Sequence, residues 1–157
     1  MEPITIRKAS PGDIGILLQF EQDLVNTERA FDPTLKPAAA TYYNLPEMIA
    51  ASHIEMVVAE CNAAIVGCGY ARIETAASYL QHRQYAYLGF MYTLPAYRGK
   101  SINKMIIDTL KNWSAARGIT ELRLEVYHHN QPAIKAYEKT GFTPHKTEMR
   151  MHLPGNV

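Results

Sequence analysis

Two segments hold residue types and spacings that suit chemistry. The first is Thr93-Leu94-Pro95-Ala96-Tyr97-Arg98-Gly99-Lys100-Ser101-Ile102-Asn103-Lys104. A strand ends at a proline, an Arg-Gly turn follows, and a long helix begins. The first N–H groups of a helix have no partner inside it and carry the positive end of its dipole. Arg98, Lys100 and Lys104 add three cations with no acid among them, which suits a diphosphate. The same residues also read as an ordinary capped helix after a Gly turn, with solvated lysines. The second segment is Asn130-Gln131-Pro132-Ala133-Ile134-Lys135-Ala136-Tyr137-Glu138-Lys139-Thr140-Gly141-Phe142. Asn130 suits a helix N-cap, Pro132 the first turn and Gly141 a left-handed cap. Tyr137 follows Asn130 by two turns, so both share a face. Taken alone, Tyr137 reads equally as a packed aromatic.

The strand before the first segment, Tyr85 to Thr93, holds no carboxylate. On strict alternation Tyr85, Tyr87, Gly89 and Met91 share one face. Tyr85 and Tyr87 there would line a cleft or anchor a water; the plain alternative is a tyrosine face packed under a helix. Glu125 lies across its strand from Leu122, Leu124 and Val126 and reads as a structural partner. His128 and His129 adjoin Asn130 without further metal-ligand spacing, and Cys61 and Cys68 read as packed free thiols, so no metal is expected.

These groups need elements to hold them. Residues 3–8 alternate as a strand, and Ser10-Pro11-Gly12-Asp13 opens a helix whose apolar positions run to Val25. Thr27 to Tyr43 is irregular, with Pro33 and Pro37; Asn44 to about Ser52 is a short helix. Glu55–Glu60 and Ala64–Glu74 form a hairpin turning at Asn62-Ala63. Lys100 to Arg117 is an amphipathic helix with Ile102, Met105, Ile106, Leu110 and Trp113 on one stripe, stopped by Gly118. Glu121–Tyr127 and Phe142–Leu153 are expected strands either side of the Asn130–Thr140 helix. The expected order, β-α-α-β-β-β-α-β-α-β, is mixed α/β with an antiparallel meander and a βαβ unit. Residues 1–157 read as a single domain.

Sixteen Lys plus Arg against fifteen Asp plus Glu leave a net charge of +1. That balance lacks the footprint of a nucleic-acid binder or of a chain held on an anionic membrane. No apolar run approaches a membrane span, and the N-terminal residues do not pattern as a signal peptide; the expected location is the cytoplasm.

Together the two segments resemble the GCN5-related N-acetyltransferase superfamily, whose members move an acyl group from coenzyme A to an amine. Pro-x-x-Arg-Gly-Lys-Ser-Ile-Asn matches that family's Arg/Gln-x-x-Gly-x-Gly/Ala loop in part. Asn-x-x-Ala-x-x-x-Tyr-x-x-x-Gly-Phe matches its second signature in full. The element order agrees over nearly the whole chain, implying a central, mostly antiparallel sheet flanked by helices. The resemblance implies acetyl-CoA as acyl donor. Backbone at Met91 and Thr93 would then pair with the pantetheine arm. The N–H groups of Arg98, Gly99, Lys100, Ser101, Ile102, Asn103 and Lys104 would hold the pyrophosphate. Asn130 would contact the pantetheine region, and Tyr137 would protonate the leaving thiolate, since phenols titrate near ~10. The irregular segment would border the acceptor, with Glu28, Phe31 and Asp32 meeting a cationic amine.

The family has small residues where this chain has Ser101 and Asn103. That departure and the carboxylate-free strand support a second reading, an acyl-CoA-binding module of the same fold that has lost turnover. Otherwise the implied reaction is direct transfer in a ternary complex to the amine of a small molecule or peptide. A ping-pong route through Cys61 or Cys68 is not expected, because both fall in the hairpin. A homodimer is the default expectation for assembly.

Overall fold

The computed structural model describes residues 2–38 and 40–155. They fall into two compact units, Met1–Glu125 and Val126–Val157. In the first unit, Ile4–Lys8 (β1) pairs antiparallel with Ile54–Cys61 (β2), β2 with Ala64–Thr75 (β3), and β3 with Gln84–Thr93 (β4). Leu122–Arg123 (β5) joins β4 in parallel, so the sheet runs β1-β2-β3-β4-β5. Between β1 and β2 lie Ile14–Glu28 (α1) and Leu45–Ala50 (α2); Ile102–Ala116 (α3) connects β4 to β5. This is the mixed, mostly antiparallel sheet flanked by helices that the sequence implies.

Alternation decides what each face of the sheet meets. From β3, Cys68 and Tyr70 turn toward α1 and α2, packing in one core with Leu17, Phe20, Leu45 and Met48. Gly67 and Gly69 turn the other way, where Ile102 and Ile106 of α3 press close. Ile102, Ile106, Ile107 and Leu110 of α3 are almost fully buried, each contributing roughly 1.5–3 kcal/mol relative to exposure. The β2–β3 turn is two residues long, and Asn62 and Ala63 both take positive φ (51° and 63°), the hairpin geometry that matches strand twist. Ahead of α1, the buried Asp13 carboxylate accepts from Arg7 at 2.8 and 2.9 Å and from the Ser10 N–H at 2.8 Å. Arg7 foremost, despite the opposing effect of burial, lowers its pKa to about 2.

Three expectations are corrected. Strict alternation fails in β4, because the β3–β4 register slips between Cys68 and Tyr70 and Phe90 takes φ +52°. A bulge adds one residue to a strand and reverses which side the following residues face. Phe90 and Tyr92 therefore join the core beside Tyr70, while Met91 lies with Ile106 around Gly69, against α3. The strand expected at Glu121–Tyr127 is only Leu122–Arg123, paired with Ala86 and Tyr87; its ladder extends no further along the bulged β4. In the second unit, Gln131–Lys139 (α4) is the single regular element among the described residues. Residues 143–155 form neither helix nor strand. An alternating segment becomes a strand only when a neighbour supplies the ladder, and within this unit none does.

Candidate active site

β4 supplies both ends of the site in the first unit. Its ladder to β5 covers only Ala86 and Tyr87, so among the described residues of this unit the edge at Met91 and Thr93 has no strand partner on that side. An open strand edge is where an extended ligand adds like a further strand. After Thr93 the chain makes a short 3-10 turn over Pro95–Tyr97, and the Arg98 guanidinium folds back onto the Thr93 carbonyl at 3.2 Å. Gly99 takes φ +78° with nothing near where a Cβ would stand, so conformation and not space selects glycine there.

Ser101 sits in the left-handed region (φ 63°, ψ 19°), the conformation that glycine favours. The backbone path that a glycine would ease is thus kept with a serine in place. The Ser101 side chain makes no capping bond, and its carbonyl accepts from Met105 at 3.1 Å. The amides of Ile102, Asn103 and Lys104 lie within that first turn, before any helical bond is made. Lys104 is paired with Asp108 at 2.7 Å, and Lys100 lies over the Tyr97 ring at 5.1 Å. The open amides, the helix dipole and the free β4 edge together fit the diphosphate and pantetheine of coenzyme A.

The other end is a cleft of about 450 Å³. Tyr42 and Tyr43 line it from the loop before α2, Tyr70, Arg72 and Glu74 from β3, Tyr85 and Tyr87 from β4, and Glu125 from just after β5. Gly89 makes room: a Cβ there would stand 2.5 Å from the Tyr70 hydroxyl. The buried Glu21 carboxylate accepts the N–H groups of Tyr42 (3.1 Å) and Tyr43 (2.9 Å), fixing that wall. Tyr43 stacks on Phe90 with centroids 4.7 Å apart. Arg72 lies between the rings of Tyr70 (5.5 Å) and Tyr87 (5.4 Å) and is ion-paired with Glu74. Arg123 covers the Tyr85 ring at 3.9 Å. Glu125 stands beside Tyr87.

Burial foremost raises the pKa values of Tyr43, Tyr70 and Tyr87, with neighbouring negative charge adding at Tyr87. These phenols therefore stay protonated and serve as hydrogen-bond groups, not bases. Cys68 is fully buried, its thiol is pushed up by desolvation, and it donates to the Phe90 carbonyl at 3.4 Å. A thiol held so is a poor nucleophile.

The structure brings Tyr85 and Tyr87 into the cleft. Glu28 does not line it; burial foremost raises its pKa, with Tyr42 opposing. Asp32 is buried and accepts from the Thr34 amide at 3.0 Å, closing its own turn, and Phe31 is half-buried. Glu28, Phe31 and Asp32 are not among the cleft's lining residues. Sequence reasoning missed Tyr42, Tyr43, Tyr70, Arg72 and Glu74 and took Glu125 as structural. The available signal was alternation in β3, which places Tyr70, Arg72 and Glu74 on one face.

In the second unit, Asn130 caps α4 by accepting from the Ala133 amide at 3.4 Å. Tyr137 meets Phe142 edge to face at 6.1 Å, and its carbonyl accepts from the Phe142 amide at 3.1 Å. Gly141 closes the turn at φ +108°. Among the described residues, no three His, Cys, Asp or Glu side chains group as metal ligands, and no helix is long and apolar enough to cross a membrane.

Comparison with known proteins agrees with this geometry. An IAA acetyltransferase of Azospirillum brasilense is 25% identical over 142 residues, covering 90% of this chain and 86% of its own. A predicted acetyltransferase from Clostridium acetobutylicum, solved with acetyl-CoA, superposes with a TM-score of 0.72 at 19% identity, covering 96% of each chain. The aminoglycoside N-acetyltransferase AAC(6')-Iy in complex with CoA superposes at 0.73 with 16% identity, covering 96% of this chain and 99% of its own. The sequence profile of the acetyltransferase (GNAT) family matches residues 21–142. The chain belongs to the acetyltransferase (GNAT) family and is an acetyl-CoA-dependent N-acetyltransferase.

Proposed function

We propose that the enzyme transfers the acetyl group directly, in a ternary complex, to the primary amine of a small molecule or peptide seated in the tyrosine cleft. The observation that carries this reading is β4 itself, which leads from the tyrosine cleft to the open amides at the start of α3. Acetyl-CoA, when bound, supplies the activated acetyl thioester. The amides from Gly99 to Lys104 hold its diphosphate, whereas the Arg98 amide donates instead to the Pro95 carbonyl at 3.3 Å; the backbone of Met91 and Thr93 pairs with its pantetheine arm, and Asn130 contacts the same arm. The profile match spans both units, which supports one working domain over residues 1–157. The expected setting is the cytoplasm, with neither nucleic acid nor membrane as partner and a homodimer as the default assembly.

The proton balance assigns the remaining roles. An alkylamine with pKa ~10.4 is about one part in two thousand neutral at pH 7, a cost of ~4.6 kcal/mol unless a base takes the proton. Glu125 is the cleft carboxylate not already paired with Arg72, and it receives that proton directly or through a water held by Tyr85 and Tyr87. The amine nitrogen bonds to the acetyl carbon, the carbon–sulfur bond breaks, and Tyr137 gives its proton to the departing thiolate; the second proton lost by the nitrogen returns through water to the Tyr137 phenolate, and Glu125 releases the first to solvent.

Free-thiol release from acetyl-CoA over an amine panel tests the assignment. Glu125→Gln is expected to lower kcat about 100-fold at pH 7, with the deficit narrowing as pH rises and free amine accumulates. An unchanged rate would remove Glu125 from the mechanism.

A further inference from the structure

The acceptor cleft carries a charge pattern that says more about its ligand than the need for an amine. Aromatic walls suggest a cage for an alkylammonium, yet Tyr43, Tyr70, Tyr85 and Tyr87 each already have a ring or cation partner. Arg72 lies over Tyr70 and Tyr87, Arg123 over Tyr85, and Phe90 stacks on Tyr43. What remains for a ligand is the phenol hydroxyls, the Arg72 guanidinium and two carboxylates. Arg72 is matched one to one by Glu74, which is bonded to its Nε, and the Tyr70 ring lies beside the guanidinium. Arg123, over Tyr85, is paired with Glu121 at 3.6 Å, so among the residues that line the cleft Glu125 is the charge left to be balanced.

An acceptor with one ammonium balances the cleft. An acceptor that also bears a carboxylate or phosphate would have to displace Glu74 from Arg72 or leave its own charge beside Glu74. Like charges brought together in a partly desolvated site are disfavoured. Phenols held protonated by burial suit neutral oxygen-bearing groups instead.

We propose that Arg72 and Glu74 form a charge filter: the acceptor is a monocationic amine carrying neutral hydroxyl or amide groups, with no acidic group within a few bonds of the amine. This rests on the reading of the tyrosine cleft as the acceptor site. Glu74 is the specificity-determining residue, because it keeps Arg72 from pairing with an acidic acceptor.

The test compares 4-aminobutanamide with 4-aminobutanoate, and ethanolamine with O-phosphoethanolamine, by thiol release from acetyl-CoA. Rates are referred to the free-amine fraction of each compound. In the native enzyme the neutral member of each pair is expected to have at least tenfold higher kcat/KM. Glu74→Gln frees Arg72, and that ratio is expected to fall about tenfold; Arg72→Gln is expected to raise it. A residue serving only the fold would lower both members equally and leave the ratio still. A native ratio at or below one, or a ratio unmoved by Glu74→Gln, overturns the filter. Silence across the panel while acetyl-CoA still raises the melting temperature also overturns it, with the donor site intact. Silence with no such rise overturns the donor reading as well.

Discussion

In the proposed reading the amides from Gly99 to Lys104 meet the anionic donor, whereas the cleft beside Gly89 meets the amine with side chains drawn from four separate segments. The first region depends on where the backbone goes. Gly99 and Ser101 both take positive φ, and the residue types matter mainly as they permit that path. The second depends on which side chains meet: Glu21 fixes Tyr42 and Tyr43, Gly89 admits Tyr70, and Glu74 holds Arg72. A backbone site tolerates substitution while its dihedrals survive, which is how Ser101 can stand where the family pattern has glycine. A side-chain site changes its preference with a single residue. One fold can thus keep its donor and vary its acceptor.

Substitutions can break that contrast, starting with the largest effect. Tyr137→Phe removes the proposed proton donor and should lower kcat by ~100-fold or more, with acetyl-CoA affinity kept within about twofold; steady-state rates and calorimetry read the two separately. A loss of affinity with kcat retained would assign Tyr137 to donor binding instead.

Gly89→Ala strikes the acceptor end alone. Its Cβ would stand 2.5 Å from the Tyr70 hydroxyl and 2.6 Å from Cζ, so the ring must move. Overpacking of this kind costs typically 1–3 kcal/mol of stability, and acceptor kcat/KM should fall at least tenfold. The acetyl-CoA dissociation constant should stay unchanged; if it weakens in step, the two regions are one coupled site and the contrast fails.

Ser101→Gly is the smallest change and probes the donor end. Relief of the left-handed serine should stabilise the fold by about 1 kcal/mol, a rise in Tm of roughly 2–4 °C. Acetyl-CoA should bind as well or better, and amine preference should not move. A fall in both would give the serine hydroxyl a binding role.

The same contrast accounts for what could be read from residue order. Asn62-Ala63, Gly99, Gly118, Asn130 and Gly141 act within a few residues of themselves, so hairpin, loop and helix ends were legible, and with them both signatures of the family. The cleft was only half legible. Tyr85 and Tyr87 fell on the correct face because they precede the bulge at Phe90; Met91 follows it and faces α3 instead. The bulge depends on pairing with β3, a contact remote in sequence. Glu28, Phe31 and Asp32 were expected to meet a cationic amine through charge and an aromatic ring. In the structure, Glu21 serves the Tyr42–Tyr43 amides, Glu28 is half-buried beside Tyr42, and Asp32 closes a turn with Thr34. The segment Phe142–Leu153 alternates like a strand, but alternation cannot supply a ladder partner.

The central proposal is that backbone amides from Gly99 to Lys104 hold acetyl-CoA although Ser101 and Asn103 stand where the family pattern has smaller residues. Thermal unfolding with and without acetyl-CoA tests it most directly. At a hundred times its dissociation constant the ligand adds ~2.7 kcal/mol, and Tm should rise by roughly 5–10 °C. No rise at millimolar acetyl-CoA would contradict the account.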